Sequence, residues 1–226
     1  MKKQILGFAV AALIVLGSAG SVSAAQLAAW DMYGVGTVSS VNPAASAAFV
    51  TADPMKLGPG LGTSGAGNAL SSSGWGSTDT TDYISMGFTV DAGQAVDLDE
   101  LIIGTRSSNT GPGTIGVFTN QDGFTSAVYS ITQQGTDYAN SIIDLSAFSG
   151  ITGAFEVRLM EIGNTQADGS GNTSNGGTFR VTDYFDNGSF TDVQFTGDVA
   201  AVPAPTGLVA LISLGLCGIV ARRRRK

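Results

Sequence analysis

Asp97 and Asp99 stand two residues apart in Val96-Asp97-Leu98-Asp99-Glu100, a spacing that projects both carboxylates from one face of an extended strand. Paired carboxylates are the equipment of glycoside hydrolysis, where one protonates the departing oxygen while the other attacks or activates water. Asp168-Gly169-Ser170-Gly171-Asn172 sets oxygen-bearing side chains at alternate positions, as the opening of a calcium loop does. Thr173 and Phe179, however, occupy the places where such a loop needs its turning glycine and closing glutamate. Asp183, Asp186 and Asn187 offer further oxygens that spacing alone does not assemble. Gly111-Pro112-Gly113-Thr114-Ile115-Gly116 spells G-x-G-x-x-G, yet Val117-Phe118-Thr119 reads as strand where a dinucleotide fold requires a helix. The chain has no histidine, and its single cysteine, Cys217, lies in an apolar stretch near the carboxyl end. Histidine-based triads, histidine zinc sites and histidine general bases are thereby excluded. The expectation is a protein that is not an enzyme and has no cofactor, calcium at the Asp168 loop being the one weak exception. Glycoside hydrolysis through Asp97 and Asp99 is the catalytic alternative.

Two targeting-type segments bracket the stretch that would carry these residues. Lys2 and Lys3 precede the apolar run Ile5 to Leu16, and small residues follow through Ser23-Ala24-Ala25, the three-part layout of a secretory signal peptide cleaved after Ala24 or Ala25. At the other end, Gly207 to Ala221 is apolar or small apart from Ser213. As a helix it would be about 22 Å long against roughly 30 Å of hydrocarbon, a short transmembrane span. Arg222, Arg223, Arg224, Arg225 and Lys226 follow, and the cost of carrying cations across the bilayer keeps them cytoplasmic and orients the body outward. Val202-Pro203-Ala204-Pro205, the short apolar segment and the terminal arginine cluster together resemble the PEP-CTERM sorting tail of bacterial surface proteins. The resemblance implies Val202, Pro203, Ala204 and Pro205 as the sorting motif, Arg222 to Lys226 as the topology anchor, and signal peptidase and exosortase as processing partners. It further implies that the body leaves its membrane anchor and reaches the cell surface or exterior. The family's usual acid between the prolines is alanine here, at Ala204. An uncleaved tail anchor is the plainer alternative.

Residues 1–25 thus read as signal peptide, 26–201 as one ectodomain, and 202–226 as sorting tail. Of eleven cations only Lys56, Arg106, Arg158 and Arg180 fall in the ectodomain, against all eighteen acids, so its net charge is −14. Such a surface repels nucleic acid. Short apolar runs punctuated by Gly, Ser, Thr, Asn and Asp, with no sustained 3.6-residue period, predict an all-β domain of two packed antiparallel sheets. Ile84, Met86, Phe88 and Val90 alternate along Tyr83 to Val90. The apolar phase shifts between Leu98 and Leu101, as a bulge would produce. Ala45 to Val50 predicts a strand or a short helix, and Gly58 to Ser77, dense in glycine and serine, predicts a mobile loop. The expected core is Phe88, Leu98, Ile103, Val117, Phe155, Val157, Leu159, Phe179, Val181 and Phe195, with Trp30 an anchor and the Glu156–Arg158 pair on an outer strand face. The order Arg106-Ser107-Ser108, Thr110-Gly111-Pro112, Asp122-Gly123-Phe124-Thr125, Phe155 to Leu159 and Thr178 to Asp183 resembles the jelly-roll ectodomains that precede PEP-CTERM tails. That resemblance implies a non-enzymatic structural or adhesive role in extracellular polysaccharide. The alternative of a carbohydrate-binding module rests on Trp30, Trp75 and the tyrosines as stacking faces.

Overall fold

The computed structural model describes residues 25–77 and 79–203. Most of the segment read as a signal peptide, Ala24 included, lies outside the described residues. So do Ala204, Pro205, the apolar tail segment and the Arg222 to Lys226 cluster. The first half carries β1 (Ala25–Trp30), β2 (Ser40–Val41), β3 (Ala45–Ser46), β4 (Val50–Ala52), β5 (Met55–Leu57), β6 (Gly62–Thr63), β7 (Leu70–Ser73), β8 (Tyr83–Val90) and β9 (Gln94–Ser107). The second half carries β10 (Thr114–Thr119), β11 (Ala127–Thr132), β12 (Tyr138–Asp144), β13 (Ala154–Glu161), β14 (Thr178–Thr182), β15 (Tyr184–Asp186), β16 (Ser189–Thr191) and β17 (Val193–Ala201). The only helical turn among the described residues is a 3-10 turn at Asn120–Asp122.

Two antiparallel sheets form a sandwich-like body. The first runs β3-β1-β17-β9-β14-β7-β6 with β12 also paired to β9; the second runs β11-β10-β13-β8-β5-β2 with β4 also paired to β8. Phe195 of the first sheet meets Trp30 of its own sheet and Phe88 and Phe155 of the second, which also meet each other, with ring centroids 5.6–5.9 Å apart and mostly edge-to-face. Edge-to-face rings place the positive rim of one against the negative face of the next, which adds to the gain from burying their area. Every residue of the expected core is buried, as is Trp30.

The predicted phase shift in β9 is present. Thr196 faces Glu100 and Gly197 faces Leu98, so Asp99 is the extra residue of a bulge. Ala45 to Val50 is not helical: β3 and the start of β4 occupy it, separated by Phe49 with a positive φ of 65°.

The expectation of a mobile loop over Gly58 to Ser77 is corrected. This segment contains β6 and β7, and Leu70 and Trp75 are fully buried. The physical reason lies in how serine is satisfied. Ser72 Oγ donates to the Phe179 carbonyl at 3.1 Å and accepts the Trp75 indole N–H at 3.0 Å, while Trp75 packs edge-on against Phe179 at 5.5 Å. Ser72 can therefore enter the core beside β14 without the apolar alternation that sequence reading looks for.

An acidic cleft at the base of a hairpin

The register on β9 builds the site. On one edge, β12 pairs from Tyr138↔Arg106 to Asp144↔Glu100. The other edge is shared: β14 pairs down to Thr182↔Gly104, and β17 resumes with Gln194↔Ile102. Val193 therefore takes the rung at Ile103, and Asp183 to Asp192 is an excursion from what is otherwise one continuous strand. The next row breaks at the same level, since Trp30 faces Val193 and Leu70 faces Val181, so the chain from Asp31 to Ala69 leaves there too. Two neighbouring composite strands open side by side, and the residues at the break face one another.

The inner excursion is a hairpin of β15 and β16, closed by Asn187 (φ 48°) and Gly188 (φ 87°). Two successive positive φ values make the tight turn whose twist matches a hairpin, and Asn-Gly is its favoured sequence. The hairpin lies across β9 at Gly104, where a Cβ would stand 2.2 Å from the Asp183 carbonyl oxygen. It is clasped by Asn140 of β12, whose amide oxygen accepts the Phe185 N–H at 3.1 Å and whose amide nitrogen donates to the Phe185 carbonyl.

The break forms a cleft of about 610 Å³. Its acids are Asp31, Asp183 and Asp192, with one carboxylate oxygen from each within 4.8 Å of the others. Asp31 is exposed, whereas Asp183 and Asp192 are partly buried. Its aromatic walls are Tyr33, Tyr138, Phe185 and Phe190, all substantially exposed, Tyr33 at 80% and Phe190 at 73%. Phe185 and Phe190 are opposite across the hairpin with centroids 4.7 Å apart. Behind Tyr138, the Arg106 guanidinium sits 4.8 Å from the ring centroid and donates to the Thr136 carbonyl at 2.6 Å. The opposite rim is fixed by Asn68, which accepts the Gly34 N–H at 2.8 Å.

Burial raises the Asp183 carboxyl to about 6, the neighbouring Asp192 and Asp31 charges adding to it while the Met32 N–H, bonded to Oδ1 at 3.0 Å, opposes it. Asp192 is also raised, by burial first and then by Asp31. Asp31 accepts the Tyr33 N–H at 2.7 Å. The cleft thus presents an acceptor-rich, negatively charged floor between aromatic faces. Three oxygens at this separation can all touch one divalent cation with bonds of about 2.3–2.6 Å, although calcium wants roughly six to eight oxygens.

The residues singled out from sequence fall mostly elsewhere. Asp97 is exposed and accepts the Gly150 N–H at 2.6 Å, and Asp99 is the bulge residue, so neither lines the cleft. Asp168 caps its own turn by accepting the Ser170 N–H at 2.9 Å, and bonds to Ser170 hold its carboxyl below the ordinary range. Gly111 to Gly116 leads into β10, as the strand reading required. Glu156 and Arg158 pair at 2.8 Å, the guanidinium lying between the Tyr83 and Phe124 rings at 4.2 and 3.9 Å. Trp30 and Trp75 are fully buried, which corrects the reading of both as sugar-stacking faces; Tyr33, Tyr138, Phe185 and Phe190 of the cleft are exposed, as are Phe49 and Tyr129 outside it.

Ala25 pairs with Gly197 at the end of β1, and Val202 donates its N–H to Gly93 just beyond β17, with Pro203 exposed after it. Asp31, Asp192, Phe185 and Phe190 were not expected as a site, whereas Tyr33 and Tyr138 are among the tyrosines expected as stacking faces. The available signal was Asn187-Gly188, a hairpin turn midway between Asp183 and Asp192. A second acidic pair is internally occupied: Ser77 donates to Asp82 at 2.5 Å and Thr173 donates to Glu161, whose carboxyl is raised by burial.

Fold and cleft together define an all-β, sandwich-like protein whose outward feature is an acidic cleft walled by aromatic rings. The chain matches no protein-family model, no curated protein and no solved structure. Among the described residues no helix is long and apolar enough to cross a membrane.

Proposed function

We propose that the chain is an exported, non-enzymatic surface protein whose jelly-roll-like body binds extracellular polysaccharide in the cleft at the hairpin base. The observation that carries this reading is the set of exposed rings, Tyr33, Tyr138, Phe185 and Phe190, around carboxylate acceptors. Aromatic faces cover the apolar faces of sugars while carboxylates accept their hydroxyl protons, and the cleft volume lies within the roughly 300–1,000 Å³ usual for ligand sites. Delivery follows from the two ends of the chain: signal peptidase acting after Ala24 or Ala25, then exosortase acting on the tail that begins at Val202-Pro203-Ala204-Pro205. Cleavage after Ala24 would leave β1 whole, and Val202 and Pro203, both exposed, follow directly on the end of β17 at Ala201.

Affinity electrophoresis against a panel of soluble polysaccharides tests the binding. The parent is expected to be retarded by at least one polymer, and Tyr33→Ala with Phe190→Ala to lose about tenfold in affinity, as loss of two stacking contacts would give. Absence of retardation by any polymer would reject the reading, and release of reducing ends by the parent would overturn its non-enzymatic part. Intact mass of surface-released protein tests the address: the expected species lacks Arg222 to Lys226, and a retained Lys226 refutes processing.

A further inference from the structure

We propose that the sugar this cleft selects carries a free ammonium group, as an unacetylated hexosamine does; the inference rests on the polysaccharide reading above. The floor holds three carboxylates, and among the described residues no lysine or arginine lines the cleft. Among the described residues the groups facing Asp183 are Asp31 just after β1, Asp192 just before β17, and the Met32 N–H, so the opposing partner there is one backbone donor. Arg106, the cation of the neighbouring strand rung, is turned behind Tyr138 and engaged by Thr136. A neutral sugar would satisfy acceptors but leave this crowded charge uncompensated, and an anionic sugar would be repelled. An ammonium compensates it, and the exposed rings favour the same charge, because a cation over an aromatic face is attracted by the ring quadrupole. Burial first, and then the neighbouring carboxylates, raise the carboxyls of Asp183 and Asp192, and a cation placed between them would favour their charged forms. A bare metal ion would use the floor and ignore the walls.

The test is isothermal titration calorimetry on the intact exported protein with three tetrasaccharides of one linkage: glucosamine, N-acetylglucosamine and glucose. At pH 7 the glucosamine tetramer is expected to bind at least tenfold more tightly than the other two. Its affinity should fall below about pH 6 as Asp183 is protonated, and above about pH 8 as an amine of ordinary basicity loses its proton. Asp192→Asn should weaken binding at least tenfold. The control, Asp97→Asn with Asp168→Asn, removes more charge outside the cleft and should leave affinity within about twofold. Equal binding of the acetylated or neutral tetramer would overturn the inference while leaving the polysaccharide reading intact. Loss of binding in the control would overturn the assignment to the cleft. If no tetramer binds but a lysine-rich peptide or calcium does, the polysaccharide reading itself falls.

Discussion

At the scale of single residues, the cleft holds the Asp183 and Asp192 carboxyls against their preference. Asp183 has its folded-state carboxyl at about 6, above the unfolded value, so the folded chain binds more protons than the unfolded one between these two points. Stability from this group is fully present below about pH 4 and is lost as pH rises through about 6. Asp183→Asn, which keeps an oxygen for the Met32 N–H, is expected to be more stable than the parent at pH 7.5. The gain is on the order of 1 kcal/mol once solvent screening of a partly exposed group is allowed for. Urea midpoints of both proteins at pH 4 and 7.5 check this; a gain that persists at pH 4 would show that another group is responsible. In the core the sign is opposite: Trp75→Ala removes a fully buried ring and strips Ser72 of its donor, and should cost about 3–5 kcal/mol in urea unfolding.

At the scale of elements, the hairpin of β15 and β16 is the part that makes the cleft, and it is held by few contacts. Gly104 permits its crossing because the Asp183 carbonyl occupies the place of a side chain. Gly104→Ala should lift the hairpin, lower stability by about 1–3 kcal/mol as overpacking does, and abolish binding of whichever polysaccharide the parent retains. Asn140→Ala removes both clasps on Phe185. Its expected signature is local: hydrogen exchange at the Phe185 amide accelerates while the amides of β9 and β17 keep their protection. Uniform acceleration would mean that the clasp supports the whole sheet. The ribbon depends on this docking because an isolated two-stranded hairpin is marginal in water.

At the scale of the whole molecule, the chain closes on itself, since its first strand, β1, pairs with its last, β17. A body cut at Asp31 would lose Leu27 and Trp30 from the core and is expected to give no cooperative unfolding transition, whereas one beginning at Ala25 should unfold in a single step by circular dichroism. The sequence alone determined the all-β class, the strand of Tyr83 to Val90, the bulge near Asp99, and the core phenylalanines. These are local properties of alternation and phase, set by the two-residue period of a strand. It also supports the export and sorting reading, which depends on segments outside the described residues. Only the tertiary structure decided where the exposed chemistry gathers. Serine entered the core at Ser72 because its partners, Trp75 and the Phe179 carbonyl, come from a turn and a distant strand. Asp31, Asp183 and Asp192 meet because two rows of the sheet break at one level, and a break in register is a relation between strands far apart in sequence that no local pattern of residues records.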